Sequence, residues 1–271
     1  MHNNPRLSSM PDAKLDPIAR TFDLRHPFTT FTQRCGVANV SPMMDHAHDL
    51  ASVRDATERL LTAVAELDNA SVAEPSRLPR WTRGHVLAHL SRNADALVNV
   101  LQGRPMYTSP EARDGDIERG APRPLDVQLA DLRDSAARFQ EAGAVPADWS
   151  RTVELRGGVT DSASRVPFRR WIELELHHVD LGIGYELDDL PEEFTQRETE
   201  FLTERFTGHP DVPPTHLTDG TRAWSTGRRE TSTPEITVTG SAPELLGWLC
   251  GRRDGSGLTV TGGPLPTLPP L

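Results

Sequence analysis

The chain has 271 residues, of which 36% are hydrophobic, and a formal net charge of −10 at pH 7. This length is enough for one or two domains with their own hydrophobic core. The acidic balance argues against a nucleic-acid partner, which needs a clustered basic surface, and no apolar run is long enough to span a membrane. Because the N-terminus also lacks an export signal, the sequence predicts a cytoplasmic protein.

The chain has two cysteines, Cys35 and Cys250, and neither belongs to a CxxC motif. They lie far apart in the sequence and indicate neither a disulfide framework nor a cysteine-rich zinc site. We expect Cys250 to be a buried residue of a helix. Any thiol chemistry of this protein is therefore expected to use a thiol from outside the chain.

The N-terminal segment of the chain has a different pattern from the rest. Residues 1–44 show no apolar period of 2 or 3.6 and are interrupted by polar residues and prolines. The pattern predicts a disordered extension upstream of a candidate translation start at Met43 or Met44.

Four segments with helical spacing of apolar residues follow. The first is DHAHDLASVRDATERLLTAVAELD, and the second begins after the predicted N-cap Thr82 and ends at Gly103. The third is LDVQLADLRDSAARFQEAG, and the fourth runs roughly from Pro167 to Gly182. The segment RPMYTSPEARDGDIERGAPRP is predicted as a connection, and RTVELRGG as a short extended piece. The four helices predict an antiparallel bundle across residues 45–187.

The pattern changes after the fourth helix. A predicted helix has Pro191 near its first turn and Gly208 past its end. Two β-branched runs, EITVTG and GLTVTG, have strand alternation. Between them lies SAPELLGWLCG, a predicted helix in which Ser241 and Glu244 have the spacing of a capping box. Residues 188–271 are therefore predicted to form a small α/β domain, which makes the fold class α+β.

The segment WIELELHHVD, residues 171–180, carries five titratable side chains on the fourth predicted helix. Because each residue turns a helix by about 100°, Glu173, His177 and Asp180 share one face. Glu173 and His177 form the i,i+4 pair that could hold one ion, and Asp180 is near enough to orient the imidazole. Glu175 and His178 lie on another face and are expected to be structural or exposed.

The second predicted helix offers another i,i+4 pair, His85 and His89, in the segment HVLAH. Two histidines and one glutamate from two helices would satisfy a catalytic zinc site with one open position. A zinc protease is excluded, since valine stands where the HExxH motif requires glutamate. Such pairs also occur as salt bridges or solvated helix faces, and spacing alone leaves both interpretations open.

Several segments, in this order, resemble the mycothiol-dependent maleylpyruvate isomerases, which belong to the DinB-like metal-binding bundle superfamily. They are GHVLAHLSRNADALVN, PMY with DIERGA, ELELHHVDLGIGY, and LLGWLCGR with DGSGL. The similarity extends over about residues 46–262. It implies a DinB-like four-helix bundle followed by a small C-terminal α/β domain.

The resemblance also implies the residues of the site. The family's zinc ligands correspond to His89, Glu173 and His177, so that His85 would be a neighbour of the site and not a ligand. The family's catalytic arginine corresponds to Arg252, whose planar fork suits a substrate carboxylate. The adjacent Arg253 remains an alternative for this role.

The implied activity is the isomerisation of maleylpyruvate to fumarylpyruvate in the gentisate pathway, with Zn²⁺ and mycothiol as cofactors and a small-molecule substrate. Two alternatives remain. One is another mycothiol-dependent transferase or detoxification enzyme with the same metal site, and the other is a non-catalytic metal-binding bundle.

Overall fold

The computed structural model describes residues 45–145, 147–227 and 236–270. The predicted extension 1–44 and Cys35 lie outside these ranges. Within them, no helix is both long and apolar enough to cross a membrane. The described helices are α1 (His46–Ala65), α2 (Asn69–Ala73), α3 (Arg83–Leu101), α4 (Pro110–Gly120), α5 (Leu125–Ala144), α6 (Val166–Leu181), α7 (Glu192–Phe206) and α8 (Ala242–Leu249). The described strands are β1 (Thr152–Glu154), β2 (Thr160–Ser162), β3 (Thr215–Thr218), β4 (Ala223–Thr226), β5 (Ile236–Thr239) and β6 (Thr259–Thr261).

Helices α1, α3, α5 and α6 form the predicted four-helix bundle. Helix α3 packs against α5 and α6, and α1 packs against the same two helices. Apolar side chains from all four helices fill the space between them, among them Leu60, Leu90, Leu132 and Leu176, each fully buried. Each buried leucine contributes about 1.5–3 kcal/mol through the hydrophobic effect. The bundle thus holds α3 and α6, the two helices with the candidate ligands, side by side.

The helix caps agree with the sequence in one case and differ in another. Thr82 is the N-cap of α3, where its side chain accepts a hydrogen bond from the backbone N–H of His85. The predicted capping box at the start of α8 was wrong, because the side chain of Ser241 makes no capping hydrogen bond. Glu244 instead accepts a 2.6 Å hydrogen bond from Nη1 of Arg253. Glu244 therefore takes part in an ion pair with Arg253 and not in a capping box.

The predicted connection between the second and third bundle helices contains a helix of its own, α4. Ser109 caps it, and Pro110 occupies its first turn. Only three of its residues are buried, namely Arg113, Ile117 and Gly120. Two of these three are not apolar side chains, so α4 has no apolar stripe that periodicity could detect.

A two-stranded hairpin, β1 and β2, lies between α5 and α6. Its strands are antiparallel, and Arg156, Gly157 and Gly158 form the turn at its tip. Gly157 and Gly158 have φ values of 71° and 78°, a backbone conformation that favours glycine. The predicted extended piece RTVELRGG is thus the first strand of this hairpin and its turn.

The C-terminal part consists of α7, α8 and a four-stranded sheet in the order β4-β3-β5-β6. Strands β3 and β5 are parallel, and the outer pairs are antiparallel. The β3–β4 pair was not predicted. Helix α7 packs against α8, and its Phe194 contacts Trp171 of α6 with ring centroids 5.3 Å apart. A helical bundle followed by a small α/β part confirms the predicted fold class.

Candidate metal centre

His89, Glu173 and His177 meet in the space between α3 and α6. Each offers one ligand atom, and the three atoms lie within 4.8 Å of one another. Oε2 of Glu173 is 2.9 Å from Nε2 of His89 and 3.2 Å from Nε2 of His177. One carboxylate oxygen of Glu173 thus faces two imidazoles. That of His89 comes from the neighbouring helix α3, and that of His177 from the next turn of α6.

The donor atoms of this cluster fit a zinc ion. Two imidazole nitrogens and a carboxylate oxygen are donors that zinc takes in catalytic sites. His177 is fully buried, and its Nε2 has no hydrogen-bond partner within the described part of the chain. A buried polar atom without a partner is costly, and a metal ion would give this nitrogen one.

Burial and the neighbouring charges shift the pKa values of all three cluster residues. Burial opposes ionisation of Glu173, but the neighbouring imidazoles of His177 and His89 outweigh it and keep the pKa of Glu173 well below its usual range. Burial lowers the pKa of His89 to about 4, so this imidazole is neutral at pH 7. For His177, burial is outweighed by Asp180 and Glu173, which raise its pKa.

Asp180 orients the imidazole of His177. Its Oδ2 lies 2.8 Å from Nδ1 of His177, an arrangement in which Nδ1 donates to the carboxylate and Nε2 is the ring nitrogen that faces Glu173. Arg252 holds this carboxylate with two hydrogen bonds, from Nε at 3.0 Å and from Nη2 at 2.7 Å. Burial would raise the pKa of Asp180, but the charge of Arg252 and the bond with His177 lower it to about 2.

The two arginines proposed as carboxylate clamps are both engaged by the protein. Besides its bonds to Asp180, Arg252 donates from Nη1 to the backbone oxygen of Cys250 at 3.0 Å. Arg253 pairs with Glu244 and with Asp188. The role of Arg252 as the catalytic arginine stays a prediction.

His85 lies one turn before His89, with its ring turned to other partners. Its Nδ1 is 2.7 Å from Oγ1 of Thr82, and its Nε2 is 3.5 Å from Glu118. The structure therefore brings His89, and not His85, to Glu173. Whether His85 supports the site remains a prediction.

Glu175 and His178, predicted to be structural or exposed, are buried. Glu175 accepts hydrogen bonds from Arg59, from Nε1 of Trp171 at 2.8 Å and from the hydroxyl of Tyr185 at 2.7 Å. His178 stacks on the ring of Tyr185, with centroids 4.1 Å apart. This second face of α6 is thus a structural hydrogen-bond network.

A cavity opens beside the cluster, and most of its lining was not predicted from the sequence. Its walls combine apolar side chains with three arginines, whereas Glu173 is its one acidic residue. The arginines come from α4, from the hairpin tip and from the first half of α6, segments that no local pattern connects. The lining residues are His89, Asn93, Leu97, Met106, Tyr107, Arg113, Leu155, Arg156, Arg169, Ile172, Glu173 and Phe201.

Comparison with known proteins points to one family. Residues 53–182 match the model of the mycothiol maleylpyruvate isomerase N-terminal domain, and residues 189–270 match the MDMPI C-terminal domain. A crystal structure of the mycothiol-dependent maleylpyruvate isomerase matches with a TM-score of 0.75 and a sequence identity of 28%. The match covers 83% of this chain and 96% of that chain. A histidine-to-alanine mutant of such an isomerase matches over the same shares with 28% identity and a TM-score of 0.74. No curated protein sequence matches the chain.

The fold and the cluster define a class of protein, a helical bundle with a candidate histidine–carboxylate metal centre and a small C-terminal α/β part. Within this class the two family models together cover most of the chain. The chain belongs to the mycothiol-dependent maleylpyruvate isomerase family, as the resemblance in its sequence indicated.

Proposed function

We propose that this protein is a zinc- and mycothiol-dependent isomerase that converts maleylpyruvate to fumarylpyruvate in the gentisate pathway. The observation that carries the proposal is the cluster of His89, Glu173 and His177 at the wall of a cavity, in a chain of this family. Zinc, the substrate and the thiol are parts of the proposal.

The substrate explains why a thiol is needed. Rotation about a full carbon–carbon double bond is too slow, so the cis bond of maleylpyruvate must become a single bond for a time. This happens when a thiolate forms a bond to one alkene carbon of the conjugated enone. The π electrons of the cis double bond then move towards the ketone oxygen. After rotation the carbon–sulfur bond breaks, the electron pair returns, and the trans double bond forms with the thiol regenerated.

The residues of this chain would prepare that reaction. His89, Glu173 and His177 would hold the metal, and Asp180 keeps His177 in the tautomer that presents Nε2. When bound, zinc lowers the pKa of a thiol that enters its open position, so that the thiolate forms near neutral pH. Apolar residues, such as Phe201, line the cavity beside the cluster.

The thiol would come from mycothiol and not from the chain. The thiol of Cys250 is buried at the end of α8, and burial raises its pKa. It does not belong to the cluster of candidate ligands found among the described residues. A buried thiol with a raised pKa is a poor source of thiolate, which favours an external thiol.

The test is the conversion of maleylpyruvate by the zinc-loaded protein, with and without mycothiol. We expect fumarylpyruvate to form only with mycothiol, at a thiol concentration that stays constant. Stoichiometric loss of thiol would favour a transferase instead. Zinc binding without turnover and without thiol loss would leave a metal-binding bundle.

A further inference from the structure

The cavity beside the metal centre has a charge opposite to that of the whole protein. The chain has a net charge of −10, yet three arginines and one glutamate line this cavity. The glutamate is Glu173, whose negative charge would be neutralised by a bound metal ion. A cavity with fixed cations in low-dielectric walls attracts anions, and guanidinium groups suit carboxylates in particular.

Two of the three arginines are already engaged by carboxylates of the protein. Arg169 donates from Nε to Oδ2 of Asp161 at 2.7 Å. Arg113 pairs with Asp114 at 2.6 Å, and its Nη2 lies 3.4 Å from Nδ1 of His89. The charges of these two guanidinium groups are therefore already compensated by Asp161 and Asp114.

Arg156 differs from both. Its guanidinium has no ion pair and no hydrogen bond with any residue in the described ranges. It is partly buried at the tip of the β1–β2 hairpin and lines the cavity together with His89 and Glu173. Tyr107, another residue of this lining, is its neighbour across the cavity wall.

The neighbouring surface shows how a ligand would reach Arg156. A groove lined by Arg104, Ser109 and Glu154 shares Arg156 and Tyr107 with the metal cavity. Arg156 therefore lies where the groove and the cavity meet. Its guanidinium is therefore next to both the groove and the cavity that contains His89 and Glu173.

We propose that Arg156 binds a carboxylate of a short dicarboxylate substrate and so positions it beside the metal centre. This role rests on the proposed isomerase function, since maleylpyruvate has a carboxylate at each end of its chain. Arg252 is held by Asp180, whereas Arg156 is unpaired and lines the cavity. Arg156 is thus a residue for substrate specificity that neither the helical spacing nor the resemblance indicated.

The test uses the full chain loaded with zinc and titrated with succinate, an unreactive dicarboxylate, in a calorimeter. We expect Arg156→Gln to raise the Kd of succinate by about tenfold to a hundredfold, because one charge-assisted hydrogen-bonded contact is lost. Arg156→Lys should recover part of the affinity, since it keeps the charge but not the planar fork. Zinc content, measured separately, should equal that of the wild type in both variants.

The matched control is Arg104→Gln. Arg104 lines only the outer groove and donates two hydrogen bonds to Asn99, at 3.1 and 2.6 Å, so its loss should change the Kd of succinate by less than about twofold. Dimethyl succinate, which is neutral, should not bind measurably to any variant. An Arg156→Gln variant that binds succinate like the wild type would overturn the inference, as would a wild type that does not bind succinate.

The outcome is separable from that of the proposed function. If maleylpyruvate is not converted but succinate binding depends on Arg156, the anion site stands and the isomerase is wrong. If maleylpyruvate is converted, Arg156→Gln should raise the KM for maleylpyruvate by about tenfold or more, with a smaller change in kcat. Conversion with an unchanged KM would overturn the role of Arg156 and leave the isomerase intact.

Discussion

At the scale of single residues, the candidate metal centre depends on pairs in which each group fixes the state of the next. Asp180 accepts a hydrogen bond from Nδ1–H of His177, so that Nε2 is the ring nitrogen that faces Glu173. Glu173 in turn faces His89 across the space between two helices. Two imidazoles and one carboxylate thus converge in a buried place, where an unpaired group would be costly.

His85 and His89 allow a matched test of the ligand assignment. We expect His89→Ala to lose bound zinc, because it removes one of three donors, whereas His85→Ala should retain it. Zinc content is measured on the purified, metal-loaded variants, with circular dichroism as a check of folding. Loss of zinc in His85→Ala alone would move the ligand by one helical turn.

Glu198 on α7 should make the stability of the protein depend on pH. It is fully buried, neither carboxylate oxygen has a hydrogen-bond partner among the described residues, and burial raises its pKa to about 8. Because its pKa is near 4.5 in the unfolded chain, the folded state binds the extra proton at intermediate pH. Its contribution to stability is therefore complete below pH 4.5 and declines as the pH rises to about 8.

The variant Glu198→Gln should remove this dependence, since the amide stays neutral. We expect the free energy of unfolding of the wild type to fall, relative to the variant, by about 3 kcal/mol at most between pH 5 and 7.5. Urea denaturation of metal-free protein at several pH values measures the difference. The control is Glu204→Gln, on the exposed face of α7. The prediction would be contradicted if the free energy of unfolding of the wild type changed with pH in the same way as that of Glu198→Gln.

At the scale of elements, the position of α3 is set by close contacts as well as by its apolar face. Thr82 starts the helix, and Gly84 in its first turn lies against the end of α4. A Cβ atom at Gly84 would lie 2.2 Å from the backbone oxygen of Ala121, which cannot move aside as a flexible side chain can. Glycine is therefore required here for packing and not for its backbone angles.

Gly84→Ala should destabilise the protein even though alanine favours helices. We expect a loss of about 1–3 kcal/mol from overpacking. Gly115→Ala in α4 is the control, because its Cβ would meet only the end of the Arg119 side chain, and alanine should stabilise that helix by up to about 1 kcal/mol. Urea denaturation measures the change in the free energy of unfolding for both variants. If Gly84→Ala were as stable as Gly115→Ala, the close contact would be refuted.

At the scale of the whole molecule, an ion pair connects the C-terminal part to the metal centre. Arg252 follows α8 and holds Asp180 of α6, 72 residues away in the sequence. Asp180 is almost completely buried and holds His177. Arg252 of the C-terminal part is therefore linked through Asp180 to the candidate ligand His177.

Arg252→Ala should weaken both the fold and metal binding. It leaves the buried carboxylate of Asp180 without its cation, which costs about 3–5 kcal/mol when one partner of a buried pair is removed. The zinc affinity, measured by competition with a chelator, should fall about tenfold to a hundredfold as His177 loses its support.

Arg253→Ala is the control for Arg252→Ala. Arg253 pairs with the exposed Asp188 and the partly buried Glu244, and its loss should cost about 1 kcal/mol or less. If Arg252→Ala keeps full zinc affinity and loses only turnover, Arg252 acts on the substrate, as the resemblance implies.

The sequence by itself determined what depends on neighbours along the chain. A helix turns by about 100° per residue, so Glu173 and His177 had to share a face wherever α6 packs. The N-cap Thr82 and the four bundle helices follow from equally local patterns. The family was also evident at this level, since its motifs are short and ordered along the chain.

Only the tertiary structure decided which groups from distant segments meet. The i,i+4 spacing made His85 and His89 equivalent until α3 packed on α6 and brought His89 to Glu173. The unpaired Arg156 became a candidate for the site only when the hairpin tip was found at the cavity. Such contacts depend on packing across the bundle, and no periodicity within one segment contains that information.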